Sequence, residues 1–153
     1  MKPIVAFASQ FGVKVALNPE FIAEQEQRYY LLNPRVKKLM RNDFFYAGLY
    51  LGKVKNNLFF PSFNLLNMLV EIAANKVVLE PKTAWLFICG RDIFKKGIIK
   101  THGAQRKGDC TLVMNQFGEC LGFGRITEKL DNAEGKVVIR NILDVGDFLR
   151  RES

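Results

Sequence analysis

The sequence predicts an α+β chain of two small units, and three observations predict it. Short apolar or aromatic runs of strand length recur along the whole chain, separated by turn residues. Apolar stripes at helical spacing, each preceded by a capping residue, interrupt them in the first half. After Asn75 the texture changes, because apolar runs shorten and glycines and turn signals crowd together, most of all from Gly97 to Gly124. A boundary is therefore expected near Ala74 or Asn75, giving units of residues 1–74 and 75–153. No low-complexity linker separates them, so the two units are expected to touch.

In the first unit, Val13 to Leu17 alternates as a strand does. Asn18-Pro19-Glu20 reads as a helix start, whereas Arg28-Tyr29-Tyr30-Leu31-Leu32 reads as one arm of a hairpin, and local chemistry supports both. Asn33-Pro34 opens a short amphipathic helix, with Val36, Leu39 and Met40 on one side and Arg35, Lys37, Lys38 and Arg41 on the other. Phe44 to Leu51 is of strand length, and Lys53 to Asn57 is a polar turn into Leu58-Phe59-Phe60, which makes a second hairpin. Ser62 caps a helix whose Leu65, Leu66, Met68, Leu69, Ile72 and Ala73 form one broad stripe, so this helix packs on a sheet.

In the second unit, Val77-Val78-Leu79 is a strand that Pro81 breaks. Thr83 caps Ala84 to Ile88, a helix apolar enough that burial is expected, ending at Gly90. A cation-rich loop follows, with Arg91, Lys95, Lys96 and Lys100 interleaved among Ile93, Phe94, Ile98 and Ile99. Cys110 to Met114 and Cys120 to Ile126 are strands joined by the turn Asn115 to Glu119, with Cys110, Leu112 and Met114 on one face and Thr111 and Val113 on the other. Lys136 to Arg140 is a further strand on which the two cations share a face around Val138, forming a basic track. Asp144 starts a last helical turn through Val145, Phe148 and Leu149, ending in Arg150-Arg151.

The 153 residues carry 23 Lys and Arg against 15 Asp and Glu, a formal charge of +8. Such a balance favours polyanionic partners, nucleic acid first, by attraction and counterion release. Cys89, Cys110 and Cys120 match no metal or redox spacing, and His102 is the single histidine, so no metal site is expected. The run Ile4 to Ala8 is too short for a signal-peptide core and no apolar stretch reaches spanning length, so a soluble cytosolic or nuclear protein without a membrane partner is expected.

Several motif-like stretches fail on their chemistry. Gly48-Leu49-Tyr50-Leu51-Gly52-Lys53-Val54 has its glycines one residue too close for a phosphate loop and no Ser or Thr after the Lys. Gly122-Phe123-Gly124 lacks the third glycine of a dinucleotide fingerprint and reads as tight packing or a bulge. Cys110 and Cys120 lie in apolar strand stretches where thiols are inert, and the acidic cluster Glu20, Glu24 and Glu26 has no partner group for acid-base work. An enzyme is not expected, nor a cofactor.

From Asn75 to Glu152 the pattern resembles a PUA domain, on the strand Val77 to Leu79, the short helix to Gly90, Gly97-Ile98, Gly108-Asp109, and Gly118-Glu119-Cys120-Leu121-Gly122-Phe123-Gly124. With Arg28-Tyr29-Tyr30, Ala47 to Lys53, the helix Leu65 to Ala74 and Asp144 to Arg150, the whole chain resembles the Nip-seven family of ribosome-biogenesis factors. The resemblance implies an α/β pre-PUA domain with an antiparallel sheet and helices, then a PUA domain with a small, mixed, barrel-like sheet. It implies no catalysis, a role in large-subunit pre-rRNA processing, and the hairpin after Asn18. It places RNA on Arg91, Lys96, Lys100, Lys136 and Arg140, near the first PUA helix, the loop after it and a late strand. Arg150 and Arg151 are added on charge alone. The chain lacks most of the extra N-terminal helix of the eukaryotic pattern and is similar to archaeal members. A monomer is expected, cytoplasmic if archaeal and nucleolar or nuclear if eukaryotic, with assembly proteins as partners of the first unit. An adaptor docking through Tyr29, Tyr30, Phe44, Phe45 and Tyr46, or an accessory module of an RNA-modifying complex, is the alternative.

Overall fold

The computed structural model describes residues 1–41, 43, 44, 47–72, 74–132, 135–147 and 150. Its first element, helix α1 (Lys2–Ser9), is not anticipated by the sequence pattern, and it buries Ile4, Phe7 and Ala8 on one face. So short a helix has little stability of its own and is held by packing. Phe7 lies 5.4 Å from the rings of both Phe59 and Phe123, and Phe11 lies 5.5 Å from Phe123. The predicted strand from Val13 joins no sheet; Val13, Val15 and Leu17 lean half-buried on the core while Lys14 and Ala16 face solvent, as an extended connector.

The Asn18 side chain accepts a hydrogen bond from Glu20 N at 3.0 Å and starts a single 3-10 turn, Pro19–Phe21. The chain then enters the hairpin of β1 (Ile22–Gln25) and β2 (Arg28–Leu31). Asn33 caps α2 (Pro34–Leu39) through Val36 N at 2.9 Å, but Leu39 is exposed, so the apolar side is narrower than predicted. β3 (Leu49–Lys55) starts at Leu49 rather than Phe44, and Phe45 and Tyr46 lie outside the described residues. Its turn to β4 (Leu58–Pro61) is only Asn56-Asn57, both at positive φ, as a two-residue hairpin of this twist requires. Ser62 Oγ accepts from Leu65 N at 3.2 Å to cap α3 (Phe63–Glu71) and donates to Tyr50 O at 2.7 Å, tying helix to sheet. Leu65, Leu66 and Leu69 are buried; Ile72 is exposed and Ala73 lies outside the described residues. The four strands form one antiparallel sheet in the order β1-β2-β3-β4.

The second sheet contains β5 (Lys76–Leu79), β6 (Ile93–Phe94), β7 (Ile98–His102), β8 (Cys110–Met114), β9 (Cys120–Ile126) and β10 (Val137–Asp144), in the order β6-β10-β9-β8-β5-β7. Among the described residues, β5 and β8 are the one parallel pair. β6 and β7 sit at opposite edges yet are joined by the 3-10 turn Lys95–Gly97 alone, which the sheet accommodates by curling into a half-barrel. Helix α4 (Pro81–Ile88) closes it, contributing Ala84 and Phe87 to a core with Val77, Leu79, Ile93, Val113, Ile126, Val138 and Ile139. Pro81 therefore starts α4 at N1 as well as ending β5, and Glu80 rather than Thr83 holds the N-cap position.

Three expectations for this half need correction. The cation-rich loop is mostly paired strand, β6 and β7. Helix α4 is only half buried, since Trp85 is 64% exposed and Leu86 40%. The two-cation track around Val138 also fails, because Val138 and Ile139 are both fully buried and the register of β10 against β6 slips between Val137 and Ile139. That bulge breaks the alternation which would have set Lys136 and Arg140 on one face. β10 continues to Asp144, so the last helical turn starts later, with Arg150 N donating to Gly146 O at 3.1 Å.

The predicted two faces of β8 are there, and both are buried. Cys110, Leu112 and Met114 turn toward α1 and α3, while Val113 turns into the half-barrel. α1, the first sheet, α3 and the outer side of the second sheet thus share one core, running from Ile4 to Phe123. Gly122 makes this possible at the β9 bulge, where φ is +145° and a Cβ would lie 1.9 Å from Leu143 O. Asn75 pins the crossing of the chain between the sheets: buried, it accepts from Ala104 N at 3.1 Å through Oδ1, and its backbone N donates to Phe11 O at 2.9 Å.

Candidate nucleic-acid interface

Helix α4 and the turn after β6 enclose a groove of about 630 Å³. Gly97 sits so close to the helix that a Cβ would lie 2.2 Å from Thr83 Oγ1, which sets the groove's width. Its apolar walls are Leu86 and Phe94, and its cations are Lys82, Arg91 and Lys96. Two carboxylates also border it, each already engaged: Glu80 Oε1 accepts from Thr83 Oγ1 at 3.0 Å, and Asp92 Oδ1 from Asn141 N at 2.9 Å. Among the described residues the Lys82, Arg91 and Lys96 side chains make no hydrogen bond or ion pair. A groove with free cations and exposed apolar walls suits phosphate along its rim and a base against its side.

The structure brings together Arg91 and Lys96 of the seven predicted residues. Lys136 precedes Val137, which pairs with Phe94, so it stands at the same sheet edge. Arg140 precedes Asn141, whose side chain donates to Phe87 O at 2.8 Å, and it lies directly opposite Arg125 on β9. The Arg125 guanidinium is engaged inside the fold, donating from Nη1 to Gly108 O at 2.9 Å and from Nη2 to Gln10 Oε1 at 3.2 Å. Lys100 lies apart, exposed on edge strand β7 opposite Val78. Arg150 is engaged inside the fold, donating from Nη1 to Ile88 O at 2.7 Å and from Nη2 to Asp144 Oδ2 at 2.8 Å. Arg151 lies outside the described residues. Sequence reasoning missed Lys82, Leu86 and Phe94. The exposed side of α4 had a signal in Lys82 following Pro81, hidden by treating the whole apolar segment as core.

Burial pushes the Cys120 thiol up to about 11, with a backbone hydrogen bond at Gly122 opposing, and burial also raises Cys110 against the lowering pull of Arg125. Neither is a ready thiolate. Among the described residues no cluster of His, Cys, Asp and Glu has the makings of a metal site, and no helix is long and apolar enough to cross a membrane.

A six-stranded half-barrel closed by one short helix, with a basic groove beside that helix, defines a PUA domain protein, and PUA folds are typically RNA-binding. The UPF0113 PUA domain model matches residues 75–153. A UPF0113 protein of Archaeoglobus fulgidus is 32% identical over 111 residues, covering 70% of this chain and 63% of its own length. This chain belongs to the UPF0113 family. The chain thus spans less than two thirds of that relative in the matched part. In fold it is similar to a conserved PUA domain protein from Thermoplasma acidophilum, with a TM-score of 0.60 at 21% identity, covering 99% of this chain and 92% of that one. It is similar also to a PUA domain from Aeropyrum pernix solved as a tartrate complex, with a TM-score of 0.52 at 16% identity over 61% of this chain and 56% of that one.

Proposed function

We propose that this chain is a non-catalytic RNA-binding factor of the Nip-seven type, acting in processing and assembly of the large ribosomal subunit. The α4 groove carries the reading, since its three cations have no partner among the described residues and Leu86 and Phe94 offer a base an apolar wall. In this reading single-stranded or junction rRNA lies along Lys82, Arg91 and Lys96 and continues toward Lys136 and Arg140. Residues 75–153 then form the RNA-binding domain and residues 1–74 a pre-PUA domain that meets assembly proteins. The protein acts as a monomer, and its relatives' archaeal sources favour the cytoplasm.

Fluorescence anisotropy with a labelled single-stranded RNA, repeated from 50 to 200 mM salt, tests the groove. Arg91→Glu with Lys96→Glu is expected to weaken binding at least about 30-fold and to flatten the salt dependence, because each phosphate neutralised on a single strand contributes a slope of roughly 0.7. Unchanged affinity sinks the groove as the RNA site. Crosslinking in the protein's own cells, followed by sequencing, tests the ribosomal role; bound fragments that exclude pre-rRNA overturn it.

A further inference from the structure

The geometry points to a second nucleotide site, on the outer face of the first sheet, which takes one unpaired nucleotide of RNA. A cavity of about 310 Å³ opens there, away from the shared core. That volume stands at the small end of ligand pockets, about 300–1,000 Å³. Tyr30, 1% exposed, forms its floor, with the rings of Phe44 and Tyr50 at 5.8 and 5.6 Å from it. Arg28 and Lys53 stand at its rim, directly opposite each other on β2 and β3.

Two features show that these groups are assembled against the ordinary rules of a sheet. Tyr50 and Lys53 are three residues apart and on a regular strand would face opposite sides. The register of β3 against β2 slips between Tyr29 and Tyr30, leaving Leu51 as the extra residue, and the slip brings both side chains to one cavity while Leu51 and Val54 turn to the core. The second feature is the facing pair of cations, which costs stability unless an anion sits between them. The Glu26 carboxylate pairs with Arg28 at 3.0 Å, but the Glu26 side chain is largely exposed and that of Arg28 nearly half so, and so open a pair exchanges readily for phosphate. Lys53 makes no ion pair among the described residues.

The chemistry selects the guest. Three rings around a cavity also suit a quaternary ammonium, but Arg28 and Lys53 outweigh the one carboxylate in the lining, Glu26, and repel it. A protein partner favours a patch whose centre is apolar and free of charge, which this rim is not. A nucleotide supplies both complements at once, a π-face for Tyr50 and Phe44 and a phosphate for Arg28 and Lys53.

The test is an amide-resolved NMR titration of the full chain with the four ribonucleoside 5′-monophosphates, with ribose 5-phosphate and an acidic peptide as controls. The expected result is saturable shifts at Arg28, Tyr30, Tyr50 and Lys53 with nucleotides, weaker with ribose phosphate. Lys53→Gln, an exposed change that leaves the fold intact, is expected to weaken these by about fivefold, the size of one exposed charge interaction. The shifts are expected to persist in the Arg91→Glu, Lys96→Glu chain, so the two sites fail or succeed separately. Absence of shifts at these amides overturns the site, and stronger shifts with the acidic peptide than with any nucleotide reassign it to a protein partner.

Discussion

Two arginines at the C-terminal end of α4 meet opposite fates. Arg91 borders the groove with its side chain unengaged among the described residues, whereas Arg150 is fastened to Ile88 O and Asp144. The difference lies in their neighbours. Asp144 is 2% exposed and needs charge-assisted donors, which Arg150 and the Asn141 amide supply, the latter at 3.1 Å. Asp92, beside Arg91, is exposed and already accepts from the Asn141 backbone. Positive charge therefore does not mark a binding residue by itself; a cation that no buried acceptor has claimed does.

The strongest way to break this comparison is to remove the acceptor. Asp144→Ala is expected to lower stability in urea, because Arg150 and the Asn141 amide lose their shared acceptor, while leaving RNA affinity of the folded chain unchanged. Arg150→Ala is expected to lower the melting temperature without altering RNA affinity; the reverse outcome would move Arg150 into the binding surface. Alkali sharpens the contrast next. Asp144 holds the Arg150 guanidinium above its already high ordinary value, so this latch stays charged through pH 11. Cys120, however, titrates at about 11 in the folded chain against an ordinary 9.0, so the folded state holds its proton more tightly. The stability this confers is complete below about pH 9 and is lost as pH rises toward 11, about 2 kcal/mol in all. Urea midpoints across that range check it, and Cys120→Ala is expected to flatten the curve. The smallest effect concerns the flank of the groove: Lys136→Ala with Arg140→Ala is expected to reduce the salt slope of RNA binding by roughly 0.7 for each phosphate left without its cation. An unchanged slope removes both from the site.

What the sequence revealed follows from how local each feature is. The caps at Asn33 and Ser62 and the strands Cys110–Met114 and Cys120–Ile126 are set by short-range chemistry and stand where predicted, while the second hairpin is present with its first strand shifted to Leu49–Lys55. Helix α1 was missed because its one apolar stripe packs against residues far along the chain, Phe59 and Phe123 among them. The bulges at Val138 and Leu51 were invisible for the same reason, since register belongs to the pair of strands and not to either one. Of the candidate site, Arg91 and Lys96 were legible as cations beside a helix. Phe94 and Leu86 were not, because an apolar residue on a groove wall and one in a core have the same letters. Tyr29 and Tyr30, weighed as docking aromatics, are 5% and 1% exposed and belong to the packed interior.

The shared core also has a consequence in time. Phe7 and Phe11 are made early by the ribosome, yet the surface they pack on, Leu112, Met114 and Phe123, is made after the second sheet is well under way. Part of the packing of α1 therefore forms only once Phe123 has been made, although Phe59 is available to Phe7 much earlier.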